Sequence, residues 1–370
     1  MLSSSGTDGN ADPRADTFTL REIFQQPALW PTTVDRVDAA SRRLDLKPRL
    51  ANAHILFTGA GTSAYAASAV AAAGSTCLAV PTTDLLIDTE RHLAGVEVVI
   101  SLARSGDSPE SAAVVEQIRA LRPEIFQLAI TCNPESALSR SPLDGIILLD
   151  PRTNDRSLVM TSAFSNLVLA GLLLIQRDAV DAAVKACGSG AGALLPAIDQ
   201  ACRAAAAHAR DRIVMLSSSP LHGWAQEARL KALEMTAGAF CVMAETFLGL
   251  RHGPMSFVRS DTLVLCLLSQ DPLRRLYEQD LLRELRAKKI GYLVGIADPA
   301  ETGEWFDAVI PAIAPRLPDA LRTPFEVIAP QLLGYHLSLL KGMNPDNPSP
   351  GGVINRVVQG VVIHPMRQRP

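Results

Sequence analysis

The six cysteines, Cys77, Cys132, Cys187, Cys202, Cys241 and Cys266, include no C-x-x-C pair. Most stand among apolar residues, so they read as buried, reduced thiols of a cytosolic protein and not as a disulfide framework. Neither sign of charge dominates. Lys and Arg number 35 against 38 Asp and Glu, a formal net charge of −3, and the absence of a basic stripe argues against a nucleic-acid partner. No apolar run reaches the length of a membrane span. The opening stretch MLSSSGTDGNADPRADT lacks the basic start and apolar core of a signal peptide, and is expected to be a disordered or weakly docked tail over residues 1–17. No His, Cys and Asp residues cluster at ligand spacing, so no metal is expected.

Apolar residues make up 48% of the 370. That length suits two domains or one large α/β domain. HILFTGAGTSAYAASAVAAAG reads as a short buried strand at 55–57, a loop with Gly59, Gly61 and Ser63, and a helix over 64–73. A strand, a Gly/Ser turn and a helix make an anion-binding arrangement, because the unpaired N–H groups of a helix start face the anion. Equally, such a turn can be a tight connection with no ligand. VEVVISLARSGDSPESAAVVEQIRAL repeats the pattern, with Ser105, Gly106 and Ser108 ahead of a helix that opens on Pro109. QLAITCNP and GIILLDP add two strands, and a long apolar helix starts near Ser157. Strands alternating with helices at this spacing indicate a parallel sheet covered on both faces.

The second half replays this order. RIVMLSSSPLHGWAQEARLKALEM, DTLVLCLLSQDPLRRLYEQDLL, GYLVGIADP, FDAVIPAI and PFEVIAPQLLGYHLSLL follow in turn. The boundary is expected near 180–195, where Cys187-Gly-Ser-Gly-Ala-Gly interrupts two Ala-rich helical patterns. The second copy has Leu-Ser-Gln-Asp-Pro where the first has Ser-Gly-Asp-Ser, so anion binding falls mainly to the first copy. The ionisable residues belong to the second. Glu227, Lys231 and Glu234 share one face of a helix, followed by a linker with Glu245 and the turn Arg251-His252-Gly253-Pro254. Carboxylates, an amine and an imidazole in one stretch suit proton transfer on a small molecule. On these residues alone, a surface ion pair and a turn histidine are equally open readings.

GAGTSAYAA, ARSGDSPES, and EARLKALE followed by RHGP resemble the sugar isomerase (SIS) domain family, and the doubled arrangement resembles the isomerase half of glucosamine-6-phosphate synthase. EIFQQPALW, RSGDSPES and GMNPDNPSPGGVINRVVQGV are similar to the branch of tagatose-6-phosphate ketose/aldose isomerases and galactosamine-6-phosphate deaminases. The resemblance implies an α/β fold of two tandem SIS domains, each a flavodoxin-like parallel sheet between helices. The units would be 18–185 with the phosphate cradle, 195–345 with the acid/base residues, and a tail at 346–370 over the site.

By the same resemblance the phosphate cradle is Gly61, Thr62 and Ser63 with Arg104, Ser105 and Ser108, Ala103 replacing a Ser or Gly common in relatives. Glu234 is the isomerase base, Glu227 and Lys231 position sugar hydroxyls or tune it, and His252 assists ring opening from a partner subunit. A homodimer or dimer of dimers is therefore implied. A catalytic lysine of the synthase has no counterpart; Asn355 and Arg356 stand near its place. The stretch before Phe18 leaves no room for the synthase's glutamine-hydrolysing domain, so none is expected. The implied activity is a cytoplasmic amino-sugar-phosphate deaminase/isomerase that needs no metal or redox cofactor. Its alternatives are a plain ketose/aldose phosphate isomerase and a non-catalytic phosphosugar-binding regulator.

Overall fold

Each half of the chain forms one sheet of five parallel strands. The computed structural model describes residues 17–298, 305–358 and 360–364; of the expected N-terminal tail, all but Thr17 lies outside them. The first sheet comprises β1 (Ile55–Gly59), β2 (Cys77–Pro81), β3 (Val98–Ala103), β4 (Phe126–Thr131) and β5 (Gly145–Leu148), in the order β2-β1-β3-β4-β5. The second comprises β6 (Arg212–Ser217), β7 (Cys241–Thr246), β8 (Leu263–Leu267), β9 (Tyr292–Ala297) and β10 (Ala308–Pro311), in the order β10-β9-β8-β6-β7. The two orders are the same when matched strand for strand. Every residue of β1, β3 and β8 is buried, as expected of central parallel strands with helices on both faces.

Two strands differ from the sequence expectation. Among the described residues each half has five strands where the pattern indicated four, the additional one lying at an edge. In β2 no residue is fully buried, so no continuous apolar run betrays it. The supposed linker around Glu245 is β7, in register with β6 from Arg212↔Cys241 to Ser217↔Thr246.

The break expected at Cys187–Gly192 is also absent. A single helix runs over Arg177–Ala206. Its buried residues Val180, Val184, Cys187, Ala191, Leu195, Ile198, Cys202 and Ala205 recur at three- and four-residue steps straight through the glycines. Packing of that stripe overrides the helix-weakening effect of glycine, which is about 1 kcal/mol per residue. The apolar helix expected from Ser157 starts at Ser162 instead. Asp155 accepts hydrogen bonds from the amides of Thr161, Ser162 and Ala163, which fixes the start there.

The two halves meet through helices Thr62–Ala71 and His222–Met235. Their backbones approach closely at Gly223, where a Cβ would lie 2.8 Å from the Ala69 nitrogen and 2.9 Å from the Tyr65 oxygen. Each of these helices is backed by an apolar one, Ser162–Ile175 and Ile328–Leu340 respectively. The result is one core shared by both sheets, and it sets the ionisable helix of the second half beside the first Gly/Ser turn of the first.

Candidate active site

In a sheet of this order, the chain leaves β1 and β3 in opposite directions and opens a crevice at their carboxyl ends. The loop after β1 is held by geometry. Gly61 has φ +56°, which disfavours any residue with a Cβ. Gly59 lies so close to Ser63 that a Cβ there would be 2.6 Å from the Ser63 carbonyl oxygen. After β3, Gly106 has φ +66°, and an added Cβ would be 2.5 Å from Ser136 Oγ. Ser105 Oγ accepts from the Asp107 amide at 3.3 Å, and Ser108 donates to Glu110 Oε2 at 2.6 Å.

Between these loops lies a cavity of about 180 Å³. Gly61, Thr62, Ser63, Arg104, Ser105, Ser108 and Glu234 all line it. So do Ile354, Asn355, Arg356, Val357 and Val358 of the C-terminal tail, and Leu158 and Met160. Seven of the ten site residues named from sequence thus line one cavity, although they lie as much as 173 positions apart (Gly61 to Glu234).

Glu234 reaches the cavity from the last turn of helix His222–Met235, its side chain 24% exposed. Glu227 and Lys231 stand behind it, both with 0% side-chain exposure. The Lys231 ammonium lies 2.6 Å from Glu234 Oε2, 3.1 Å from Thr62 Oγ1 and 3.3 Å from Glu227 Oε1. Thr62 in turn donates to Glu227 Oε1 at 3.4 Å. Burial pushes the Glu227 carboxyl up to about 8, against the opposing pull of Lys231 and with help from the Glu234 charge. For Lys231, burial favours the neutral amine, but the two carboxylates outweigh it and hold the ammonium above its ordinary value. The buried ammonium thus donates to the partly open Glu234 carboxylate and fixes its position at the cavity.

Arg104 behaves differently from a free cradle residue. It is buried, and its Nη1 donates to the carbonyls of Ser157, Leu158 and Val159, its Nη2 to that of Arg356 at 2.7 Å. Burial and the neighbouring Arg356 charge lower its pKa. Arg356 itself donates to the Asp155 carbonyl and to Asn154 Oδ1. The two arginines therefore clasp the tail against the loop before helix Ser162–Ile175. His252 is not brought to the cavity by its own chain; it is exposed in the turn beyond helix Phe247–Leu250.

No family-level sequence profile matches the chain. The AgaS protein of Streptomyces coelicolor, named as a candidate D-galactosamine-6-phosphate deaminase, is 39% identical over 367 residues, covering 94% of this chain and 95% of that protein. The D-galactosamine-6-phosphate deaminase AgaS of Escherichia coli is 35% identical over 369 residues, covering 94% and 96%. The chain belongs to the AgaS family. The crystal structure of tagatose-6-phosphate ketose/aldose isomerase from Escherichia coli superposes on this AgaS-family chain with a TM-score of 0.85 at 31% identity, covering 97% of this chain and 99% of that one.

Sequence reasoning missed three features of this AgaS-family site. Leu158 and Met160 form an apolar wall from a loop that read as helix. Glu22 closes the same loop from below, accepting from Ser157 Oγ and from the Arg156 and Ser157 amides. Asp155 joins the loop to the helix it caps. The one available signal was the run Asn154-Asp155-Arg156-Ser157, whose polar residues compete for backbone groups and mark a turn ahead of the apolar pattern.

Proposed function

We propose that this chain is a D-galactosamine-6-phosphate deaminase. It opens the sugar ring, moves a proton from C2 to C1, and hydrolyses the resulting C2 imine to tagatose 6-phosphate and ammonia. The observation that carries the proposal is Glu234 in one small cavity with two Gly/Ser turns, backed by a buried ammonium 2.6 Å from its carboxylate. Two carboxylate oxygens can reach adjacent carbons on one face of an opened sugar without moving the backbone. The relatives' names supply the substrate.

Ser63, Ser105 and Ser108, with the helix starts behind them, hold the 6-phosphate. Glu234 takes the C2 proton and returns it at C1. Lys231 holds the Glu234 carboxylate in place, and Glu227 acts through Lys231, since neither has surface open to the cavity. His252, remote in its own chain, serves ring opening in a second copy.

Replacing Glu234 by Gln keeps shape and hydrogen bonding and removes the base. Turnover should fall at least about a hundredfold, given that general-base catalysis contributes about 10²–10⁴-fold. Substrate should still bind, and exchange of the C2 hydrogen with solvent deuterium should vanish. Near-normal turnover and exchange in the variant would overturn the assignment. Ammonia release from galactosamine 6-phosphate separates deamination from plain aldose–ketose isomerisation, which makes the same proton shift and frees no ammonia.

A further inference from the structure

Thr62 stands in the loop to which the phosphate is assigned, yet its hydroxyl faces Lys231 and Glu227 behind the base. Thr62 is buried, and Oγ1 is 3.1 Å from Lys231 Nζ and 3.4 Å from Glu227 Oε1. The Lys231 ammonium has three hydrogens and three acceptors: Glu234 Oε2, Thr62 Oγ1 and Glu227 Oε1. With no exposed surface, Lys231 has no solvent to take over a lost partner. Any displacement of Thr62 must therefore redistribute the ammonium between Thr62 and Glu234.

The loop gives such a displacement a source. Thr62 is the first residue of helix Thr62–Ala71 and lies between Gly61, at φ +56°, and Ser63. All three line the cavity. Thr62 and Ser63 are successive residues of the same first helical turn, and Gly59 packs against Ser63 without room for a Cβ, so a shift of this turn carries both. An anion drawn onto this helix start acts on the segment that carries the Thr62 hydroxyl.

We infer that Thr62 is a positioning residue that couples occupation of the phosphate loop to the pose of the base, its hydroxyl serving the Lys231–Glu234 pair and not the phosphate. The inference rests on the reading of Glu234 as the base. Its consequence is that the phosphate of the substrate contributes to turnover as well as to binding, in the way binding energy at a remote group is drawn on at the reacting centre.

The probe is inorganic phosphite added to unphosphorylated galactosamine, read as exchange of the C2 hydrogen in deuterium oxide. Phosphite should raise the wild-type exchange rate about tenfold or more. In Thr62→Val, phosphite affinity and the KM for galactosamine 6-phosphate should stay within about threefold of wild type, while kcat falls about tenfold or more and activation is lost. Thr62→Ser should recover both. Weakened phosphite binding in Thr62→Val at unchanged kcat would make Thr62 a phosphate ligand and overturn the inference. Should Thr62→Val fail to fold, the wild type alone decides, because exchange without phosphite activation refutes the coupling. Wild-type exchange on galactosamine 6-phosphate itself is the control: if it is absent, the functional reading fails and the coupling with it; if it is present without activation, the coupling alone fails.

Discussion

Glu227 provides the sharpest test of the electrostatics behind the base. Its carboxyl is fully buried, Oε1 is held by Lys231 and Thr62, and Oε2 has no hydrogen-bond partner among the described residues. Burial is the first cause that pushes it from an ordinary 4.5 to about 8. The carboxyl is therefore largely protonated at pH 6 in the folded chain and ionised in the unfolded one. A folded-state value above the unfolded one stabilises the fold below pH 4.5, and that contribution is lost as the pH rises towards 8. Each pH step withdraws about 1.4 kcal/mol, so about 5 kcal/mol is withdrawn across the window. Glu227→Gln replaces a neutral acid by a neutral amide of the same shape and cannot ionise. Urea midpoints of wild type and variant at half-unit steps from pH 5 to 9 should draw apart steadily in favour of the variant from about pH 5 and stop diverging above about pH 8. Parallel curves would refute the reasoning, as would a variant that is strongly destabilised at pH 5.5, because either result means that Glu227 is ionised throughout.

Two further outcomes are expected. Asp346 accepts from the Phe18 amide at 2.9 Å, the Thr19 amide at 2.8 Å and the Thr19 hydroxyl at 2.7 Å, so Asp346→Ala should lose about 1–2 kcal/mol of stability in urea titration; an unchanged midpoint would show that this cap contributes nothing. Mixed oligomers of inactive Glu234→Gln and His252→Ala subunits should regain part of the activity, and no recovery from a verified mixed oligomer would return His252 to its own subunit's site.

The Gly/Ser turns and Glu234 at the cavity were legible because their chemistry is local. Glycines with positive φ, hydroxyls at helix starts, and Glu234 three residues after Lys231 are each visible within one short stretch, and the repeat showed that two such stretches share a fold. What lay beyond the sequence depends on partners far along the chain. Nothing in ARSGDS tells that Arg104 is captured by carbonyls 53 to 55 positions later and by a tail carbonyl 252 positions later. The face carrying Glu227 and Lys231 reads as solvent-exposed until helix Thr62–Ala71 is laid across it. Edge strands β2 and β7 escape for the opposite reason: with only one neighbouring strand and no fully buried residue, they need no apolar signature. The glycine run at 188–192 misleads because local propensity is weak against a buried stripe that continues on both sides.

The helix over Arg177–Ala206 has a consequence for how the molecule comes apart. At 1.5 Å per residue it is a rod of about 45 Å, contributing its first turns to one repeat and its last to the other. Neither repeat can be excised without cutting through it and baring the apolar face that packs on helices Gln26–Arg43 and Ile328–Leu340. The two repeats are thereby tied into a single cooperative unit. Calorimetry should register one melting transition, with calorimetric and van't Hoff enthalpies in agreement, where a tandem joined by a loose tether would register two.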